Sequence, residues 1–170
     1  MKIEYTEQPL DYIVTLSDTE KELLKLKIRL ELYEDYFFDI GYHLENDKKI
    51  DLNYIKNKVD ENLIDFRVNQ LFDIYVNNLM LGHAGDCTSI PCSCAKCHAE
   101  TLLDIKSPLS ELNNSEMFKL QTAQIKNISK IDDIIFYFEN QLKEKNSERD
   151  KGEYIHLIKF LGLWKKTINL

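Results

Sequence analysis

Apolar residues at Leu23, Leu26, Leu30, Tyr33, Phe37, Ile40 and Leu44 follow one another by alternating steps of three and four. That rhythm keeps one stripe of a helix turned toward a partner, so three heptads of it predict a long helix with a seam facing another helix. Immediately upstream, Ser17-Asp18-Thr19-Glu20 has the Ser-x-x-Glu form of a capping box. Its hydroxyl and carboxylate can satisfy the unpaired amides of a first turn, which places the helix start there. Asn46-Asp47-Lys48-Lys49 closes the helix. Asp51 or Asn53 then caps a second one, running through Ile55, Val59, Leu63, Phe66, Leu71, Tyr75 and Leu79 to Gly82. A glycine suits the left-handed position just past a helix end.

Downstream of residue 106 the same period returns. Ser107-Pro108 reads as an N-cap and first helical residue, opening a short turn through Leu109 and Leu112. From a cap at Asn114 or Ser115, Met117, Gln121, Ile125, Ile128, Ile131, Phe138 and Leu142 describe one long helix with a bend expected around Asn127 to Ser129. Ser147 caps a last helix carrying Tyr154, Leu157, Leu161, Trp164 and Ile168. Residues 1–16, interrupted by Pro9, read as an extended arm with room for a short strand. The expectation is one all-α domain over 1–170, a bundle of about four main helices: arm 1–16, helical hairpin 17–81, cysteine-rich loop 82–106 and C-terminal helices 107–170. Clustered aromatics such as Tyr33, Phe37 and Phe138 sit at helical spacing and read as core.

Charge adds a polarity to this outline. The chain of 170 residues has a formal net charge of -7, and residues 1–81 hold 10 basic against 17 acidic side chains while residues 82–170 hold 12 of each. Such an excess disfavours a phosphate backbone as partner and leaves pairing between protomers open. No apolar run approaches the length of a bilayer span, so no membrane association is expected. Glu4, Glu7 and Asp11 interrupt the apolar stretch a secretory leader needs, and a cytoplasmic location is the corresponding expectation.

All four cysteines fall between Cys87 and Cys97, spaced C-x4-C-x-C-x2-C, with His83 upstream and His98 directly after. In a reducing compartment metal explains such a cluster better than disulfides do. Zinc takes four thiolate or imidazole ligands in a tetrahedron, and a C-x2-C pair presents two sulfurs from one turn. Cys94 and Cys97 form that pair. The expected site is Cys87, Cys92, Cys94 and Cys97 around zinc, with His83 and His98 as substitute ligands. Lys96 and the two histidines are placed to offset the excess negative charge of four thiolates.

Other readings share these residues. Cys94-Ala95-Lys96-Cys97-His98 resembles, over those five residues alone, the haem attachment site of cytochromes c, which implies covalent haem with His98 on the iron; Cys87 and Cys92 then have no part. An iron–sulfur cluster on the four cysteines is a further alternative. His98-Ala99-Glu100 has the H-x-E form of zinc deaminases, but the order of that motif and the cysteine pair is inverted here. Glu100 reads instead as an acid at the start of a short helix from Ala99 to Ile105. Neither a catalytic triad nor a phosphate-cradling glycine loop is present, and His43 and His156 are isolated within helical patterns.

The expected function is therefore non-enzymatic: a zinc-stabilised helical protein that holds a protein partner or further copies of itself. A zinc-dependent nucleic-acid binder is the alternative, and a zinc hydrolase or deaminase-like enzyme the next.

Overall fold

The computed structural model describes residues 1–8, 11–46, 51–80 and 94–168. The arm is a β-hairpin, β1 (Lys2–Tyr5) antiparallel to β2 (Tyr12–Thr15), with Ile3 opposite Val14 and Tyr5 opposite Tyr12. Strand alternation sends Tyr12 and Val14 to one side, where both are fully buried. A two-stranded ribbon is marginal by itself and needs a packed face. Here β2 lies on the first group of helices and β1 on the last.

Seven α-helices follow among the described residues. Helix α1 (Asp18–Glu45) starts at the expected capping box, Ser17 accepting from the Glu20 amide and Glu20 from the Ser17 amide. The second expected helix is two: α2 (Leu52–Lys58), capped by Asp51, and α3 (Glu61–Met80). Asp60 forms the break, its carboxylate accepting the amides of Asn62 at 2.9 Å and Leu63 at 3.2 Å. A side chain that captures two backbone donors starts a new helix in preference to continuing the old one. Gly82 lies outside the described residues.

Helix α4 (Ala95–Leu102) precedes a 3-10 turn (Pro108–Glu111) capped, as expected, by Ser107. The long C-terminal helix is likewise two, α5 (Asn114–Ile125) and α6 (Ile131–Glu144), and the cap of α5 is Asn113, one residue before the positions expected. Asn127, at φ 61°, ends α5 where a bend was foreseen. Helix α7 (Glu148–Ile168) completes the chain, with the Ser147 carbonyl accepting the Lys151 amide.

Two helical groups result, in place of one four-helix bundle. Helices α1, α3 and α4 pack together with β2; α5, α6 and α7 pack together with β1. One buried cluster runs through both, with Leu24, Ile28, Ile64, Leu79 and Ala99 from the first group and Leu120, Ile134, Phe138, Leu157 and Leu161 from the second. Each such leucine or isoleucine contributes roughly 1.5–3 kcal/mol on leaving water. Trp164 fastens the groups through the hairpin: its Nε1 donates to the Thr6 carbonyl at 2.8 Å, and its ring meets Tyr5 edge-on at 4.7 Å.

The face that α1 buries departs from expectation. Leu24, Ile28 and Tyr36 are buried, with Leu32 packed beside them, a ridge of steps of four. The heptad stripe lies on the other side of the helix: Leu23, Leu26, Leu30, Phe37 and Leu44 are all exposed. Helix α3 divides its expected seam: Leu79 is buried and Leu71 and Tyr75 pack on the core, beside buried Ile64 and Val68, while Leu63 and Phe66 face outward. Arg29 binds Glu61 at 3.0 Å and also Asp65, and Tyr33 donates to Glu61 at 2.8 Å, fixing α1 antiparallel to α3. No helix among the described residues is long and apolar enough to cross a membrane.

Candidate metal centre

Cys94 is the N-cap of α4, with extended backbone at φ -69° and ψ 156°, and its sulfur accepts the Cys97 amide at 3.4 Å. The helix thus begins at Ala95, not at Ala99, because the thiol takes the capping place that a serine or aspartate usually holds. Both cysteines stand half-buried at this helix start. Two sulfurs from one turn, with an amide donated to the first, match the half-site a C-x2-C pair brings to zinc. Cys87, Cys92 and His83 lie outside the described residues. Among the described residues no group of three or more histidines, cysteines, aspartates and glutamates is arranged to hold a metal ion.

His98, the other substitute ligand, turns toward α1. Its Nε2 lies 2.9 Å from Glu31 Oε2 and its ring 5.4 Å from that of Tyr75. It forms one wall of a cleft of about 310 Å³ shared with Glu31, Asp35, Leu71 and Tyr75. Ligation through Nε2 requires His98 to leave Glu31.

Beneath the cysteines α4 is anchored by buried polar groups. Lys96, 3% exposed, donates to the Tyr12 carbonyl at 2.5 Å and lies 4.0 Å over the Tyr12 ring. One turn on, Glu100 is 4% exposed and accepts from the Tyr12 hydroxyl at 3.2 Å, while that hydroxyl also meets Ser107 Oγ at 2.8 Å. Glu100 Oε1 and Asp11 Oδ1 are buried without a hydrogen-bond partner among the described residues.

Burial sets the ionisation of this cluster. It pushes the Glu100 carboxyl above the usual range, against the Tyr12 hydrogen bond and the Lys96 charge. It pulls the Lys96 ammonium below its usual range, against the charges of Glu100, Asp11, Cys97 and Cys94. Tyr12 is raised by burial and by Glu100. Lys96 was expected as a counter-charge facing the loop. It is buried, and its charge interacts with those of Cys97 and Cys94.

Sequence reading missed Tyr12, Asp11, the contact of Ser107 with Tyr12 and the burial of Glu100. One signal was available: Lys96 and Glu100 are four apart, hence neighbours on one helix face. The isolated histidines have carboxylate neighbours, His156 Nδ1 at 2.8 Å from Glu116 and His43 Nε2 at 3.6 Å from Asp39.

Comparison of the chain with protein-family models, curated proteins and solved structures finds no match in any of the three.

Proposed function

We propose that this is a non-enzymatic, zinc-stabilised helical protein that serves as a structural or protein–protein interaction module. The observation that carries the reading is the start of α4, where Cys94 caps the helix and accepts the Cys97 amide. A metal held there by Cys94 and Cys97, with Cys87 and Cys92 completing four thiolates, pulls on a helix pinned to the core through Lys96 and Glu100. Such a closed set leaves no coordination position for substrate and acts as a staple. The outward apolar residues of α1 and α3 supply surface for a partner.

Elemental analysis of purified protein beside its visible spectrum tests the metal. We expect one zinc per chain and no visible absorption, and loss of zinc with a lowered melting temperature in Cys94→Ser and Cys97→Ser alike. A coloured protein containing iron, or a metal-free protein whose melting is indifferent to chelator, overturns the reading.

A further inference from the structure

We infer that the outer stripe of α1 is a pairing seam for a second copy of this chain, forming a parallel two-stranded coiled coil. The inference deepens the interaction role proposed above and rests on its protein–protein half alone. Leu23, Leu26, Leu30, Tyr33, Phe37, Ile40 and Leu44 occupy every a and d position of three successive heptads, with Leu23 at a. The described helices leave most of that stripe open, although Tyr33 packs on the core and donates to Glu61: Leu30 is 60% and Phe37 69% exposed, and α1 packs against α3 and α4 through the Leu24–Ile28–Tyr36 side. An apolar stripe that faces only water has no use for a 3.5-residue period. A second helix supercoiling along it does, because that period keeps the seam in register over the roughly 32 Å from Leu23 to Leu44.

The flanking charges identify the occupant. In a parallel pair, each g residue faces the e residue five positions later on the other helix. Glu22 at g then meets Lys27 of the second copy, and Arg29 at g meets its Glu34, so both charged pairs are attractive. Arg29 already bridges Glu61 and Asp65, but its five N–H donors leave some for Glu34. The two attractive pairs occur twice each in that parallel dimer, whereas an antiparallel pair makes only Lys27 beside Glu34, twice, in the register that sets Leu23 on Ile40, and sets Glu34 beside Glu34 in the register one heptad along. A stripe whose flanking charges complement themselves, and most fully in the parallel orientation, fits a second copy of the same chain. Packing on α3 and α4 has already formed the helix, so pairing incurs no nucleation cost.

Size-exclusion chromatography with light scattering, on the full chain, is the test. The parent should run at twice the chain mass of 20.1 kDa. Leu30→Glu should run as a monomer with an unchanged circular dichroism spectrum, and Phe136→Glu, on the exposed side of α6, should remain a dimer. Glu22→Lys and Lys27→Glu should each weaken self-association roughly fivefold, and an equimolar mixture of the two should recover the parent affinity. A monomeric parent, a dimer indifferent to Leu30→Glu, or a mixture no tighter than its components overturns the inference. Zinc measured on the same samples separates the two readings: a monomer that keeps its zinc defeats only the seam, and a dimer without zinc defeats only the staple.

Discussion

A buried lysine and a buried glutamate one helical turn apart are costly to leave half-complete. Removing Lys96 strands the Glu100 carboxylate in a site where Oε1 already lacks a hydrogen-bond partner among the described residues. Lys96→Met should therefore destabilise the fold by about 3 kcal/mol near neutrality. The pH dependence has a definite sign. Without the lysine charge, the folded-state pKa of Glu100 rises further above its ordinary 4.5, so the folded chain holds a proton that the unfolded chain has released. Stability of the variant then falls as pH climbs from 4.5, and its deficit against the parent closes at or below that pH. Chemical denaturation between pH 4 and 8 reads this directly, and Lys96→Met/Glu100→Gln should recover part of the loss. Sequence spacing offered Lys96 and Glu100 as neighbours but not their burial. The reason is local: once Ala99 is taken as the helix start, Glu100 becomes a solvated first-turn acid, and only the sulfur cap at Cys94 moves it to mid-helix.

Caps were the most readable elements. Ser17, Asp51 and Ser107 each stand where their hydroxyl or carboxylate was expected to take a first-turn amide. Helix ends and internal breaks were harder, because they depend on one residue adopting a conformation its side chain resists. Asp104 at φ 56° and Asn127 at φ 61° are the positive-φ residues other than glycine among those described. Both close a helix in the same way. Ile105 N–H donates to the Glu100 carbonyl at 2.8 Å and Asp104 N–H to Thr101 at 3.1 Å; Ile128 donates to Ala123 at 3.1 Å and Asn127 to Gln124 at 2.8 Å. These are the paired bonds of a Schellman ending, in which glycine is usual and asparagine tolerated. The aspartate is the more strained of the two. Asp104→Gly should stabilise the protein by about 0.5–1 kcal/mol, seen as a raised melting temperature, while Asn127→Gly should give a smaller gain.

At the level of the molecule, the helical class was readable from period alone, but the assignment of faces was not. A helix with two apolar stripes presents two equally good seams, and the longer, heptad-regular one on α1 proved to be outermost. Tertiary packing chose the ridge of Leu24, Ile28 and Tyr36, which fits the grooves of α3 and α4. The strands at the N-terminus make the other difference, since they join two helical groups in place of a single bundle. Trp164→Phe removes the donor to Thr6 and should cost about 1–2 kcal/mol. Hydrogen exchange should then quicken in β1 and leave the amides of α1 and α3 at their parent rates.

The tie between Thr6 and Trp164 spans 158 residues of chain. Synthesis delivers β1 long before α7, so the side of the hairpin that Trp164 covers waits bare until that helix is made. A chain cut short before Trp164 should leave that side of the hairpin uncovered, which faster limited proteolysis within residues 1–16 would read.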